Sequence, residues 1–272
     1  MDLKKNRRVN ILIVGFGLIG KERFNAIKKL KLSTNEDIDI IDPNLGKEIE
    51  STPNFKTKEI DISGLRFIKL SELKKSYDFM IISAPHLEST EFLISNSNLS
   101  DKILVEKPMG VTLDKTNQIH KISNKNKLIY AGFNYRFFEP IQKLASDLKD
   151  HKFGDIINVS IKLGLGHQPG SENTWRLDKN QIPYGCLTDP GIHILDLINH
   201  LFGELENIKA SAWSGFWNKN YYEDVQFLGT TAKNANLNCS ISNVSWKSTF
   251  SIIVNGTKGY GQVSGRGRSY GI

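Results

Sequence analysis

Residues 10–20 read Asn-Ile-Leu-Ile-Val-Gly-Phe-Gly-Leu-Ile-Gly, and the fold class follows from them. The apolar, partly β-branched run ends at Gly15, and further glycines follow at Gly17 and Gly20. Such a run ending in a turn signal is typical of a strand buried on both faces of a parallel sheet. Apolar residues then return at helical spacing, so these residues predict a strand, a tight turn and a helix.

Each of the three glycines has a physical role in that geometry. Gly15 permits the turn, Gly17 lets a pyrophosphate approach the backbone, and Gly20 lets helix and strand pack closely. The helix then presents free N–H groups and a partial positive charge to the phosphates. This pattern predicts a dinucleotide site that includes Leu18 and Ile19. The alternative is a glycine-rich turn in an ordinary βαβ unit.

The composition is typical of a soluble globular protein. The 272 residues suffice for two domains, and 39% of them are apolar while 24% are charged. No apolar stretch approaches the ~20 residues needed to span a membrane, and the basic N-terminus lacks a cleavage site, so no signal peptide is predicted. Cys186 and Cys239 lack metal-ligand spacing, which predicts no metal site and a reducing cytoplasm.

The net charge of +7 raises the possibility of nucleic-acid binding. The lysines are spread along the chain, however, and no basic cluster has interleaved aromatic residues, which is the pattern such binding requires. We therefore predict no nucleic-acid partner. An anionic small substrate remains compatible with the charge.

A second strand is predicted at residues 37–42, and Asp42 lies at its end. An acid ~20 residues beyond the glycines is placed to accept hydrogen bonds from the adenosine ribose hydroxyls. The same carboxylate would repel a 2′-phosphate, so Asp42 predicts NAD as the cofactor rather than NADP. The alternative is an aspartate that only starts a turn before Pro43.

Further strands are predicted at residues 77–83, 102–108 and 128–137, with helices near residues 89–96 and 113–124. Strands that alternate with helices predict an α/β fold with a doubly wound parallel sheet, a Rossmann domain over residues 1–138. Lys107 ends one of these strands, and ligands bind at the carboxyl ends of strands in such sheets. A surface lysine is the alternative interpretation.

Beyond residue 150 the pattern changes to strands in which apolar and polar residues alternate. The predicted strands are residues 156–165, 207–217, 225–231, 236–243, 250–255 and 260–263. This alternation predicts a mostly antiparallel open sheet in an α+β domain over residues 139–272. One helix interrupts the strands. It is predicted to begin with Asp189 as N-cap and Pro190 in the first turn, and to end near Gly203.

Four motifs occur in a fixed order: Gly-Phe-Gly-Leu-Ile-Gly at 15–20, Glu-Lys-Pro at 106–108, Gly-Phe-Asn-Tyr-Arg-Phe at 132–137 and Gly-Cys-Leu-Thr-Asp-Pro-Gly-Ile-His-Ile-Leu-Asp at 185–196. Together they resemble the glucose–fructose oxidoreductase, inositol dehydrogenase and rhizopine-catabolism (Gfo/Idh/MocA) family. The resemblance covers nearly the whole chain. It implies a Rossmann domain, a C-terminal open sheet whose face often makes a dimer, and NAD(P)-dependent hydride transfer at a ring or polyol carbon.

The resemblance also assigns site residues. Lys107, Asp189 and His193 fall on the family's catalytic positions, and Glu106 and Lys107 on cofactor-binding positions. Residues that match the substrate and nicotinamide pocket are Asn134, Arg136, Trp175 and Arg176. Two departures stand out. A single glycine, Gly185, replaces the common double glycine before the helix, and the chain stops at residue 272 where members usually continue, which leaves open whether it is complete or truncated.

The chemistry of these side chains agrees with the implied roles. A helix that begins at Asp189 would place His193 one turn away on the same side. A histidine titrates near neutral pH and can take an alcohol proton as a hydride leaves the same carbon, while a lysine can stabilise the developing alkoxide. The alternatives are an N-capping aspartate and a histidine that merely packs on an apolar helix.

We therefore predict an NAD-dependent dehydrogenase or reductase of the CH–OH group of a sugar, polyol or nucleotide sugar. Two alternatives stay open: a non-catalytic dinucleotide-sensing or scaffold protein on the same fold, and a dehydrogenase of a non-sugar substrate. A homo-oligomer through the C-terminal sheet is also predicted, because Trp213, Phe216 and Trp217 lie in one strand region and exposed aromatics mark contact surfaces.

Overall fold

The structure is a computed structural model that describes residues 9–42, 64–124, 126–166, 175–217 and 220–266. The chain divides into two compact units, Met1–Gly132 and Phe133–Ile272. Within the described ranges, every helix is too short or too polar to cross a membrane.

The first unit alternates strands with helices. Its strands are β1 (Ile11–Val14), β2 (Ile38–Ile41), β3 (Arg66–Phe67), β4 (Phe79–Ile82), β5 (Lys102–Val105) and β6 (Leu128–Ala131), and its helices are α1 (Leu18–Lys29), α2 (His86–Asn96) and α3 (Leu113–Ser123). The strands pair in parallel in the order β3-β2-β1-β4-β5-β6. The predicted parallel sheet is confirmed.

Successive residues of β1 face opposite layers of helices. Ile13 packs in one apolar cluster with Phe24 of α1, and Leu12 packs in another with Leu93 of α2 and Ile119 of α3. All four residues of β1 are buried, which is why the strand carries an unbroken apolar run. The sheet is therefore covered on both faces, and the carboxyl end of β1 leads directly into the glycine turn.

A buried ionic cluster connects β2 to the segment of residues 66–77. The Asp39 carboxylate is fully buried and lies 3.0 Å from Arg66 Nε and 3.2 Å from Lys74 Nζ. The Tyr77 hydroxyl donates a hydrogen bond of 2.8 Å to the same carboxylate, and burial raises the pKa of Tyr77 to about 12. A buried carboxylate needs such partners because its desolvation is costly.

The second unit is built on a six-stranded sheet that is mostly antiparallel. Its strands are β7 (Ile156–Gly166), β8 (Leu205–Trp213), β9 (Asp224–Thr231), β10 (Asn236–Ser242), β11 (Val244–Gly256) and β12 (Gly259–Gly265), and its helices are α4 (Glu139–Lys149) and α5 (Ile192–Phe202). The order is β12-β11-β7-β10-β9-β8, with only the β7–β10 pair parallel.

One face of this sheet forms the core of the unit. Ile161 and Leu163 of β7 point into an apolar cluster with Ile141 of α4 and Leu197 of α5, whereas Lys162 between them is exposed. This is the alternation that the sequence predicts for an antiparallel sheet with one solvated face. Both helices therefore lie on the inner face, and α5 is held there by four buried residues.

The segment that opens the second unit differs from the prediction. A single strand was predicted over residues 128–137, but β6 ends at Ala131 and Asn134–Phe137 form a 3₁₀ turn. The turn is closed by hydrogen bonds from the N–H of Arg136 to the Phe133 carbonyl and from that of Phe138 to the Tyr135 carbonyl. Helix α4 follows and was not predicted, although Pro140 in its first turn is a typical start signal.

The predicted start of α5 is also wrong. The helix begins at Ile192, so Asp189 is not its N-cap and does not lie one helical turn before His193. The Asp189 carboxylate instead binds Arg176, and its carbonyl accepts a hydrogen bond from Asn243. These partners hold residues 185–191 in tight turns ahead of the helix.

The predicted strand at residues 207–217 ends earlier than expected. β8 stops at Trp213, and Phe216 and Trp217 lie in the loop that follows. Trp213 and Phe216 are exposed as predicted, but Trp217 is half-buried against an apolar cluster of Leu177, Ile182 and Tyr221. Trp217 therefore belongs to the interior of the unit rather than to an exposed aromatic surface.

Candidate active site

The glycine turn combines close packing with one open position. A Cβ on Gly15 would come 2.6 Å from the Ala84 nitrogen, and one on Gly20 would come 2.1 Å from the Gly15 carbonyl oxygen. A Cβ on Gly17 would meet nothing within 4 Å. Gly15 and Gly20 are thus required by packing, whereas the space beside Gly17 is free for a ligand to approach the backbone, as a pyrophosphate would.

Helix α1 starts directly at this turn. Leu18 and Ile19 form its first residues, and Gly17 precedes it without a side-chain cap or an acidic residue in the first turn. The first-turn N–H groups and the positive end of the helix dipole are therefore available to an anion. Five of the predicted cofactor-binding residues, Gly15, Gly17, Leu18, Ile19 and Gly20, lie in this turn and the start of the helix.

Asp42 lies beside the same turn. Its Oδ2 atom accepts a hydrogen bond of 2.6 Å from the Phe16 N–H, and the Gly15 N–H donates one of 2.8 Å to the carbonyl of Ile41. The end of β2 and the glycine turn are thus directly bonded. Asp42 thus directly follows β2, where the sequence predicts an acid for the ribose hydroxyls.

Glu106 and Lys107 follow the end of β5. Glu106 forms an ion pair with Arg23 of α1, in which Arg23 Nε donates a bond of 2.8 Å and Nη2 donates a second one to the same oxygen. Gly132 makes room for this carboxylate, because a Cβ there would lie 2.7 Å from Glu106 Oε2. Glu106 therefore joins α1 to the end of β5. Lys107 is half-buried just beyond it.

His193 lies in the second unit, in the first turn of α5, and only 7% of it is exposed. The ring of Tyr135 stacks on the imidazole at a centroid distance of 4.3 Å and an interplanar angle of 7°. Phe133 approaches the imidazole edge-on at 6.2 Å. The histidine is therefore enclosed by the aromatic residues of the 3₁₀ turn and its approach.

Arg136 and Asp196 form a two-pronged ion pair next to this histidine. Arg136 Nε donates to Asp196 Oδ2 at 2.8 Å, and Nη2 donates to Oδ1 at 2.5 Å. Asp196 lies three residues after His193, on the adjacent turn of α5. The predicted pocket residue Arg136 thus binds a carboxylate of the protein, while Asn134 is exposed at the start of the 3₁₀ turn.

Asp189 is brought together with two further predicted residues. Arg176 Nη1 donates a hydrogen bond of 2.8 Å to Asp189 Oδ2, and the guanidinium lies 4.6 Å from the centre of the Trp175 ring. Trp175 packs against the same apolar cluster as Trp217. The Asp189 carboxylate is nearly buried, and its negative charge is balanced by a cation that an aromatic face supports.

Two buried polar residues that shape this region were not found from the sequence. Asn243 Nδ2 donates to the Asp189 carbonyl at 3.0 Å and to the Tyr221 hydroxyl at 2.9 Å. Glu223 is fully buried and accepts hydrogen bonds from three consecutive N–H groups, those of residues 215–217. Neither residue belongs to one of the four motifs, and most of their partners are backbone groups, which leave no signature in the sequence.

Two family models match the chain. A model described as "Oxidoreductase family, NAD-binding Rossmann fold" matches residues 9–133, and one described as "GFO/IDH/MocA C-terminal domain" matches residues 141–261. The resemblance seen in the sequence motifs is thus confirmed over both units.

Two curated proteins are similar over part of their length. The chain is 24% identical over 193 residues to glucose-6-phosphate 3-dehydrogenase of Bacillus subtilis, covering 70% of this chain and 53% of that protein. It is 24% identical over 137 residues to levoglucosan dehydrogenase of Pseudarthrobacter phenanthrenivorans, covering 48% of this chain and 35% of that protein. The chain therefore spans about half the length of the Bacillus enzyme, 53%.

A solved structure shows the same fold. The WlbA dehydrogenase from Bordetella pertussis, in complex with NADH and UDP-GlcNAcA, matches with a TM-score of 0.80 at 17% identity. The match covers 96% of this chain and 75% of that one. The predicted combination of a Rossmann domain and a second domain on an open sheet is therefore confirmed.

The contrast between Gly17 and Gly20 predicts two different defects. Gly17→Ala should fold normally and weaken NADH binding about tenfold, since its methyl group enters the open space beside the turn. Gly20→Ala should instead lower the melting temperature, because its methyl group meets the Gly15 carbonyl. A fluorescence titration and a thermal melt on both variants measure these effects. Wild-type NADH affinity in Gly17→Ala would contradict the assignment of this turn.

Proposed function

The chain belongs to the Gfo/Idh/MocA family of oxidoreductases, and on that premise we propose that it transfers a hydride between nicotinamide and a sugar-like carbon. The observation that carries the proposal is the glycine turn, which leaves open space at Gly17 and has Asp42 hydrogen-bonded beside it. The residues present thus fit NAD. When bound, NAD would supply the hydride acceptor.

The proton chemistry is assigned to the chain's own residues. An imidazole nitrogen of His193 takes the proton of the reacting hydroxyl during oxidation and returns it during reduction. Lys107 Nζ donates a hydrogen bond to the same oxygen and stabilises its developing negative charge. Asp189, whose carboxylate binds Arg176, orients the substrate or the histidine. These roles rest on the family motif and on the enclosed position of His193.

The proposed substrates are sugars, polyols and nucleotide sugars. The similar proteins are named for glucose 6-phosphate and levoglucosan, and the solved structure holds UDP-GlcNAcA. A screen of these three compounds, and of inositols and free sugars, for NAD reduction or NADH oxidation identifies the substrate. NADH binding without turnover on any of them, or on non-sugar alcohols, would favour a dinucleotide-sensing protein.

Cofactor preference depends on Asp42. Because its carboxylate accepts ribose hydroxyls and repels a 2′-phosphate, wild-type protein should bind NADH more tightly than NADPH. Asp42→Asn should narrow that difference by removing the charge while keeping the side chain's size. Parallel fluorescence titrations with both nucleotides test this, and tighter NADPH binding by the wild-type protein would refute the assignment.

The catalytic set is tested by three substitutions. His193→Ala should lower turnover on the order of 10²–10⁴-fold while NADH binding stays nearly intact, because it removes the general acid and base. Lys107→Ala should lower turnover and also weaken cofactor or substrate binding. Asp189→Asn removes the charge that pairs with Arg176 at nearly constant volume.

Melting temperature and NADH affinity are the matched controls for each of these variants. Lys115→Ala is a further control, since it breaks an ion pair with Glu91 in the first unit and changes no residue assigned to the site. Wild-type turnover in both His193→Ala and Lys107→Ala would place the chemistry elsewhere.

Association through the outer face of the second sheet is also proposed. Leu228 of β9 and Trp213 of β8 are exposed on this face, at 60% and 53%, among polar side chains. A contiguous exposed apolar patch is typical of a contact site, and we propose that these two side chains form part of one. Sedimentation velocity at micromolar concentration should show a dimer that Leu228→Asp converts to monomer, whereas Leu113→Asp, on α3, should not. A wild-type protein that sediments only as monomer would refute this.

A cytoplasmic location is the companion proposal. Cys186 and Cys239 are both free and buried, and burial raises the pKa of each thiol, that of Cys186 to about 12. Thiols in this state are chemically inert, and unpaired cysteines are typical of proteins in a reducing compartment.

A further inference from the structure

We propose that Tyr135 is a positioning residue for His193, and that its ring fixes the plane of the imidazole for proton transfer. The inference rests on the proposed acid–base role of His193. Tyr135 lies within the motif at 132–137, in a stretch that the resemblance places at the pocket, but the resemblance gives it no role towards His193.

The stacking geometry is the first observation. The Tyr135 and His193 rings are nearly parallel, at 7°, with centroids 4.3 Å apart, and only 3% of Tyr135 is exposed. The imidazole therefore lies flat on a buried aromatic face. Because the second side-chain torsion of histidine is broad and roughly two-fold, a flat partner is an effective way to select one ring plane.

Two further aromatic rings contact Tyr135. Phe138 lies 5.2 Å from its ring centre, and the fully buried Phe250 of β11 approaches it edge-on at 5.8 Å. These contacts connect the tyrosine ring to the core of the second unit. The imidazole of His193 therefore stacks on a ring that is packed in the core of the second unit, and not on a mobile surface ring.

The neighbouring residue fastens the same turn to the same helix. Arg136 forms its two-pronged ion pair with Asp196, three residues after His193. The 3₁₀ turn thus contacts α5 at two successive points, one aromatic and one ionic. Two contacts on adjacent turns fix both the distance and the rotation of the helix relative to Tyr135.

The kinetic consequence is a loss of turnover when the ring is removed. A small misplacement of a catalytic group costs up to ~10²-fold, and an aromatic stack contributes about a tenfold preference for the bound geometry. Tyr135→Leu should therefore lower kcat on the order of tenfold with KM changed less than about twofold. Tyr135→Phe keeps the ring and should retain most of the wild-type kcat.

Phe153→Leu is the matched packing control. It removes a partly buried aromatic ring that packs against the same apolar cluster beside Gly261 of β12, so its kcat should stay near that of the wild-type protein. The assay uses NAD and the substrate identified by the screen above, and melting temperatures are recorded for every variant.

A second measurement needs no turnover. The carbon-bound ring protons of His193, assigned by comparison with His193→Ala, should resonate upfield in ¹H–¹³C spectra because they lie over the tyrosine ring. The shift should persist in Tyr135→Phe and disappear in Tyr135→Leu. If the leucine variant does not fold, Tyr135→Met replaces it in both experiments.

The outcomes separate this inference from the proposed function. Loss of kcat in the leucine variant, rescue by phenylalanine and a matching change in the His193 shift support the positioning role. Wild-type kcat in Tyr135→Leu, or equal losses in the leucine and phenylalanine variants, would overturn it. Full activity in His193→Ala would instead overturn the acid–base role, whatever the tyrosine variants show.

Discussion

The contact between the glycine turn and the chain around it is the constraint on which the first unit depends. Gly15 lies against the backbone of Ala84 at the end of β4, Gly20 lies against the Gly15 carbonyl, and the Ser83 hydroxyl donates to that same oxygen at 2.8 Å. Helix α1 can therefore begin only where it does. The free N–H groups of its first turn lie next to the glycine turn, and the Asp42 carboxylate is hydrogen-bonded to the same turn. The same short turn thus serves the packing of the unit and the proposed binding of the cofactor phosphates.

In the second unit, ion pairs hold two carboxylates in a nearly apolar interior. Asp189 and Asp196 are each paired with an arginine, and both arginines lie close to an aromatic ring. The positive charge of each guanidinium offsets a carboxylate that would be costly to bury alone. His193 lies between Asp189 and Asp196 in the sequence, so an ion pair fixes the chain on each side of it.

How much the sequence could predict depends on the range of the interactions involved. The glycine spacing, the apolar run of β1 and the alternation in β7 are local patterns, and they predicted the fold class and both sheets. The start of α5 was predicted incorrectly because a good N-cap sequence was read at Asp189, whose carboxylate has a partner thirteen residues away, Arg176. Asn243 could not be found, since a buried amide that bonds a distant carbonyl leaves no periodic signal. The catalytic roles themselves are assigned from the motif match and from the enclosed position of His193.

Glu223 fixes the loop at residues 215–217 through its backbone. Its buried carboxylate binds three successive main-chain N–H groups, and every residue except proline has such a group. The loop is therefore recognised through its backbone, and the interaction places no demand on the side chain of Phe216, which is largely exposed. Substitutions of Phe216 can alter what the loop presents to solvent and leave these bonds intact, whereas Gly215, at a φ of 126°, has to stay a glycine. A single buried carboxylate that binds only main-chain groups thus lets the exposed side chain change without any change in the sheet that supports the loop.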